Sequence, residues 1–386
     1  MMRSDIVIVG GGMVGAAAAC ALGRQGLKVT LLEKRPPAPL EGQPCCQTRA
    51  SALTLASRRL LEALGAWEAL TPWAQPFDAM HVWSDDVSGE VVFRAAEVGA
   101  EALGWVVPNA VVQSALWQAL PETVTVRESG LAALDAEAGT VTLENGESLE
   151  ARLIVGADGA HSLTRRLAGI PLDSHEYGQA AIVGCVRTEK PHENACWQRY
   201  TADGPVAFLA MGEGWSSLAW YVPLNRLEET LALPDEVFRA RLEAASGARL
   251  GRIVEVGERA GFPLVRRHAR RYVQGRVALV GDAAHTVHPQ AGQGVNLGLL
   301  DVAVLAEEIG TDTEADWAHT GALQRYQRRR YGDNLLVQRA MDGFDGLFDH
   351  SLPWKRPLRQ AVLTAGRTLS PARALLTDLA LRGRWA

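Results

Sequence analysis

Gly10-Gly11-Gly12-Met13-Val14-Gly15 has the spacing with which a backbone holds a dinucleotide diphosphate. Gly10 permits a tight turn, Gly12 lets a pyrophosphate approach the main chain, and Gly15 lets the following helix lie close to the preceding strand. The helix that opens at Met13 and Val14 then offers free N–H groups and a positive dipole end. Glu33, 18 positions after Gly15 and just before Lys34, ends the next strand. A carboxylate there accepts hydrogen bonds from both hydroxyls of an adenosine ribose and repels a 2′-phosphate, so FAD and NAD fit equally well. A glycine-rich turn without a ligand is the competing reading. The strand, the helix and the acid all falling in place count against it.

Two later motifs separate the two cofactors. Residues 153–159 run Leu-Ile-Val-Gly-Ala-Asp158-Gly159, with Ser162 and Arg165 following. Residues 277–285 run Val-Ala-Leu-Val-Gly281-Asp282-Ala-Ala-His285, and His288-Pro289-Gln290-Ala291-Gly292-Gln293-Gly294-Val295-Asn296 follows at once. Asp282 stands at the carboxyl end of a parallel-type strand, where ligands bind, and suits a ribityl hydroxyl. The stiff Pro289–Gly292 loop opens into an apolar helix at Gly294, Val295 and Asn296. Backbone amides at such a helix start stabilise the negative charge of a reduced isoalloxazine without a titrating group. These motifs favour FAD. The loop residues His288, Pro289 and Gly292 are the candidate catalytic set, with no side-chain base assigned. His285 and His288 are read as structural, because a flavin carries its own chemistry.

The elements that must position these residues follow from pattern. Residues 6–9 and 28–33 are β-branched strands flanking an Ala-rich helix over 13–25, one βαβ unit that predicts a parallel sheet. Helices are expected over 53–70, 110–120, 295–309 and 322–344. A strand pair is expected around 84–89, short strands over 124–127, 131–136, 140–143 and 148–151, and buried strands at 153–156 and 276–281. Asn145-Gly146 marks a hairpin turn. Residues 177–262 read mostly as strand, with a helical insert near 234–245. Trp197, Trp215, Trp220 and Tyr221 are assigned to the core of that sheet. His268, beside Arg266 and Arg267, is assigned to the surface.

With 386 residues, 47% hydrophobic and 22% charged, the chain is long enough for two domains. A net charge of −5 gives no ground for nucleic-acid binding. The five cysteines are odd in number and none forms a CxxC, which fits a reducing, cytoplasmic compartment. No His/Cys/Asp group has ligand spacing, so no metal is expected. The N-terminal apolar run meets glycines rather than a cleavage site. No apolar run reaches the roughly 18 residues of a spanning helix.

The GxGxxG with Glu33, the Asp158-Gly159 motif, and Gly281-Asp282 followed by HPxxGQGxN together resemble the group A flavoprotein monooxygenases, whose parent fold is that of para-hydroxybenzoate hydroxylase. The resemblance spans residues 4 to 345. Arg49-Ala50-Ser51-Ala52-Leu53, Phe262-Pro263-Leu264 and residues 281–298 resemble the ubiquinone-biosynthesis hydroxylases. The stretch from Gln113 to residue 120, Gly204-Pro205 and residues 215–221 are most similar to the branch acting on a demethoxy-quinol ring. The resemblance implies an α/β fold in which a Rossmann-type FAD domain (1–75, 101–175 and 262–350) interleaves with a β-rich substrate domain (76–100 and 176–261). It implies that Arg49 lies along the flavin and nicotinamide path and that Asp158-Gly159 contacts FAD and NAD(P)H, with Lys34 and Gln113 among the cofactor contacts. It implies hydroxylation of an aromatic or polyprenyl quinol ring, with NADH or NADPH as transient co-substrate and O2 as oxidant, through a flavin C4a-hydroperoxide. Gln290 departs from the pattern, standing where relatives often carry Leu.

The rival functions are a flavin halogenase or reductase on the same fold, and a non-catalytic FAD-binding subunit of a biosynthetic assembly. A halogenase should carry WxWxIP, and residues 215–223 do not match it. Residues 352–386 carry seven Lys/Arg against one acid, so this tail is +6 and the remainder −11. A helix capped by Ser370-Pro371 is expected there. It lies on an anionic membrane surface on the cytoplasmic side or packs on the cofactor domain. An assembly with pathway partners or a homo-oligomer stays open.

Overall fold

Apolar runs without alternation need cover on both faces, and the parallel strands of this chain receive it. The computed structural model describes residues 2–40, 46–287, 293–310, 316–318, 321–350 and 352–368. Strands Met2–Val9, Val29–Leu32, Val124–Arg127, Ser148–Gly156 and Val277–Leu279 form the parallel part of an eight-stranded sheet. Helix Met13–Gly23 lies on it with Ala16 to Cys20 fully buried. The pairing register matters for function. Val9 stands opposite both Gly156 and Leu32, and Gly156 opposite Leu279. Gly10, Glu33, Asp158 and Asp282 therefore leave the sheet at one edge, although up to 272 positions separate them in the chain.

A second eight-stranded sheet runs in the order His285–Thr286, Ile253–Ala269, Leu172–Thr188, Trp215–Pro223, Gly204–Ala210, Ala195–Thr201, Ala79–Ser84, Glu90–Arg94. Its strands are antiparallel except that Ala79–Ser84 runs parallel to Ala195–Thr201. One face packs on helix Asp235–Ser246, where Trp220 meets Phe238 at 5.5 Å. The strands around 172–188 and 253–269 carry the other face to the cofactor edge. This is the mixed α/β architecture expected from the motifs.

Three local expectations change. The helix expected over 53–70 is strand Ala50–Leu53, then helix Leu55–Ala63, then the short turn Trp67–Leu70. Thr54 caps Ser57 N–H to start the helix, and Gly65 at φ +71° ends it. Ser370-Pro371 and the rest of the tail beyond 368 lie outside the described residues. Residues 356–368 form a helix whose buried Leu363 and Arg359, with Gly366 against Val91, face the second sheet rather than the cofactor domain. Arg359 pairs with Asp86 and donates to Leu347 O and Asp349 O. That region also brings Asp85, Asp86 and His350 into one cluster, although sequence spacing suggested no such group. Arg359 pairs with Asp86 there, and the His350 ring nitrogens lie 3.3 Å from Asp85 and 3.5 Å from Asp86.

His268 is the third change, being 6% exposed rather than on the surface. Alternation along strand Ile253–Ala269 turns Arg266 and His268 toward helix Ala322–Leu347, where Asp342 and Gln338 receive them. The run of charges hides that period. Burial pushes the His268 pKa down to about 4. The unfolded chain binds its proton near the ordinary value of about 6.5, so stability falls as pH drops between those two values and is insensitive to this group above them. His268→Gln should lose that slope, at most about 1.4 kcal/mol per pH unit, in urea unfolding followed from neutral pH to about pH 4. An unchanged slope rules His268 out as its source.

Candidate functional site

The site begins where the parallel strands end. Gly10 turns at φ +100°, and a Cβ on it would fall 2.6 Å from Ala157 O. A Cβ on Gly15 would fall 1.8 Å from Gly10 O, so strand and helix touch there through glycine alone. Gly12 has open space instead, with nothing within 4 Å. Helix Met13–Gly23 starts at Gly12 with no side-chain cap and no acid in its first turn, leaving its N–H groups for an anion. Glu33 accepts from Gly11 N–H at 2.7 Å and Arg35 N–H at 2.9 Å, which pins its carboxylate beside the turn. Gln113 Nε2 and Trp117 Nε1 both donate to Gly11 O at 2.8 Å. Lys34 is exposed and paired outward with Glu144.

The second motif braces itself. Asp158 accepts from Ser162 Oγ, Thr164 N–H and Thr164 Oγ1, so its carboxylate is spent on its own turn. Gly159, at φ +78°, is the member that reaches the cleft. Arg165, buried, donates to Ala160 O and Ala283 O and ties the second motif to the third. In the third, Asp282 opens onto the cleft while protein encloses it. That enclosure raises its pKa, and the nearby His285, Arg49 and Arg267 act against the rise. His285 Nε2 lies 2.5 Å from Asp301 Oδ2, which also accepts Gly281 N–H at 3.0 Å. This places His285 in a structural role.

His288, Pro289, Gln290 and Gly292 lie outside the described residues. Gly294 and Val295, in the first turn of helix Gln293–Gly310, line the cleft. Asn296 does not. Its Oδ1 accepts from Thr54 N–H and Ser57 Oγ and its Nδ2 donates to Ala52 O, stapling this helix to the one after Thr54.

The cleft has two adjoining compartments of about 810 Å³ and 590 Å³. Gly12, Met13, Thr48, Arg49 and Asn109 border both, and Gln113 lines the first. Each has the size of a small-molecule site. The second runs from Met13, Val14, Asp282 and Val295 to the apolar second sheet at Ala181, Leu209 and Tyr221. Thr286 Oγ1 is buried there without a hydrogen-bond partner. Uncapped amides, an open Gly12 and a carboxylate facing the cleft fit a diphosphate, a ribityl chain and a flat redox ring, as FAD has.

Sequence reasoning missed Arg267, Thr286 and Asn109, all of which line the second compartment. Arg267 was legible in principle, because period-2 alternation puts it opposite Arg266 and His268. Tyr221 was assigned to the core, and it serves as cavity wall as well.

The family described as FAD binding domain matches residues 3–339. The chain is 41% identical to 3-demethoxyubiquinol 3-hydroxylase of Escherichia coli, covering 94% of each protein. It is 36% identical to ubiquinone hydroxylase UbiL of Rhodospirillum rubrum, covering 96% of this chain and 88% of that one. Among solved structures, PqsL of P. aeruginosa in complex with 2-aminobenzoylacetate superposes with a TM-score of 0.76 at 26% identity, covering 94% and 99% of the two chains.

Gly12→Val, which fills the open side of the turn, and Asp282→Ala should each weaken FAD retention by about tenfold or more. Flavin absorbance after gel filtration, with far-ultraviolet circular dichroism as the folding check, measures this. Full flavin content in both variants would remove the cleft as the FAD site.

Proposed function

For a chain that belongs to the FAD binding domain family and is an FAD-dependent monooxygenase, we propose that the substrate is the electron-rich ring of a polyprenyl quinol and that NADH or NADPH is the transient reductant. The observation that carries this reading is the continuity of the second compartment, in which the glycine-rich edge and the apolar face of the second sheet share one space. Two of the relatives are by name a 3-demethoxyubiquinol 3-hydroxylase and a ubiquinone hydroxylase, and an apolar floor beside a flavin edge suits such a ring.

Bound FAD supplies the redox chemistry, accepting electrons from the nicotinamide and activating O2. The residues here do the rest. The first-turn amides of helix Gln293–Gly310, at Gly294 and Val295, direct a positive dipole end into the cleft, where they would stabilise negative charge on a bound flavin. Asp282, on the cleft wall, would accept a hydroxyl hydrogen bond from the ribityl chain of bound FAD. The aliphatic wall of Ala181, Val183, Leu209 and Leu218 keeps water away from the reacting centre.

A prenyl tail keeps such a substrate in a bilayer, so the reading extends to an anionic membrane surface. Six of the ten exposed large hydrophobics among the described residues lie between 336 and 362. Leu358 and Val362, one turn apart, share a stripe of helix Arg356–Thr368, and Trp354 stands exposed in the turn just before it. Residues 352–368 carry no acid, and besides the buried Arg359 they carry Lys355, Arg356 and Arg367. Basic residues beside an apolar stripe suit anionic lipid, at roughly 1 kcal/mol each near the surface. Among the described residues no helix is long and apolar enough to cross a membrane.

Two measurements test these readings. Nicotinamide oxidation should be slow without a ring substrate and accelerate with a quinol, with O2 uptake matching hydroxylated product. Fast oxidation without substrate and without oxygen insertion would make the protein a reductase. A Trp354→Ser, Leu358→Ser double variant should keep FAD and lose flotation with phosphatidylglycerol-containing vesicles. Equal flotation of both proteins discards the membrane surface, and a concentration-dependent mass lost in the variant assigns the stripe to an assembly.

A further inference from the structure

Strand register draws a map of the cavity floor. Gln198 stands opposite Ala207, and Ala207 opposite Ala219, on three neighbouring strands. Strands lie about 4.8 Å apart, so two methyl groups make the centre of this row. Two residues along the strand from Ala219 in one direction is Ser217 and in the other Tyr221, each step about 6.8 Å. All five side chains line the second compartment. The result is a flat, shallow seat with a phenol ring at one end, a hydroxyl at the other and an amide at the side.

Gln198 is the anomaly in this floor. It is a polar side chain only 5% exposed, set among aliphatic neighbours. Its amide meets the Tyr200 hydroxyl on the same strand. An amide has two donors and an acceptor with two lone pairs, so one contact leaves capacity directed at the cavity. Buried polar groups are normally satisfied. The seat around Ala207 and Ala219 leaves room for a planar ring, whose edge would bring a hydroxyl to Gln198.

We propose that the Ala207–Ala219 pair seats the substrate ring and that Gln198 selects it by hydrogen bonding to a ring hydroxyl. This rests on the aromatic-substrate reading and adds the place and the selecting group. Gln198 is a specificity residue and takes no part in electron transfer.

The test is calorimetric binding of 2-methoxyphenol and of 1,2-dimethoxybenzene, its methylated counterpart, to the FAD-loaded protein, with flavin content as the folding check. Wild type should prefer the phenol. Gln198→Leu should weaken the phenol about tenfold and leave the methylated ring unchanged, a difference that a merely structural role would not produce. Ala219→Leu, which fills the seat, should weaken both ligands at full flavin content. Equal effects of Gln198→Leu on the two ligands, or none, overturn the selecting role. Unchanged binding to Ala219→Leu overturns the seat. Wild type that binds neither ring overturns this proposal and the aromatic reading together, whereas quinol turnover without discrimination at Gln198 overturns this proposal alone.

Discussion

Everything at the cofactor edge hangs on one buried carboxylate. Asp301, on helix Gln293–Gly310, is completely inaccessible to solvent. Burial alone would raise its pKa, but the adjacent His285 and Arg330 more than offset this and hold it well below the ordinary carboxylate range. Its oxygens accept from Gly281 N–H, Arg330 Nε and Asn334 Nδ2 as well as meeting His285. One charge thus joins the turn that carries Asp282 to both long helices behind it. Removing one partner from such a cluster typically costs about 3–5 kcal/mol, so the turn is held by a contact too costly to rearrange. The network continues through Asn334 to Tyr272 and through His268 to Gln338, which fastens the second sheet at Arg267 O and Thr286 O. The two sheets are therefore registered to each other by polar contacts inside the core.

That registration explains how an acidic chain brings two guanidinium groups to its cleft. The chain as a whole is negative, yet Arg49 and Arg267 line the space around Asp282. Arg49 lies over the Phe262 ring at 5.3 Å. The starts of two helices open onto the same space. Local potential follows from the placement of these groups and not from net charge.

The fold and the cofactor edge were legible for one physical reason. Motifs that need glycine for close contact, such as Gly10 and Gly15, advertise themselves in sequence because no other residue fits. Residues that act through a partner are less visible. Asp158 and Asn296 have the right types, but folding commits their polar atoms to their own turn and to the helix after Thr54. His268 and Arg267 sit in one charged run, and their opposite destinations depend on a strand period that the neighbouring Arg266, Arg270 and Arg271 mask. Gln198 carries no local signal at all, because its environment is assembled from three strands.

The parallel pairing of Ala79–Ser84 with Ala195–Thr201 has a consequence during synthesis. The first strand of the chain waits for Ser148–Gly156, and Gly156 in turn for Leu279. The hairpin of 79–94 waits for residues near 200. Neither sheet closes while the chain is half made, so a nascent polypeptide of about two thirds of the length still exposes strand edges of both. Contacts so distant in sequence slow folding, and unpaired edges invite association. On the ribosome this chain depends on late residues to protect early ones, and a cut anywhere between 95 and 195 separates partners that belong to the same sheet.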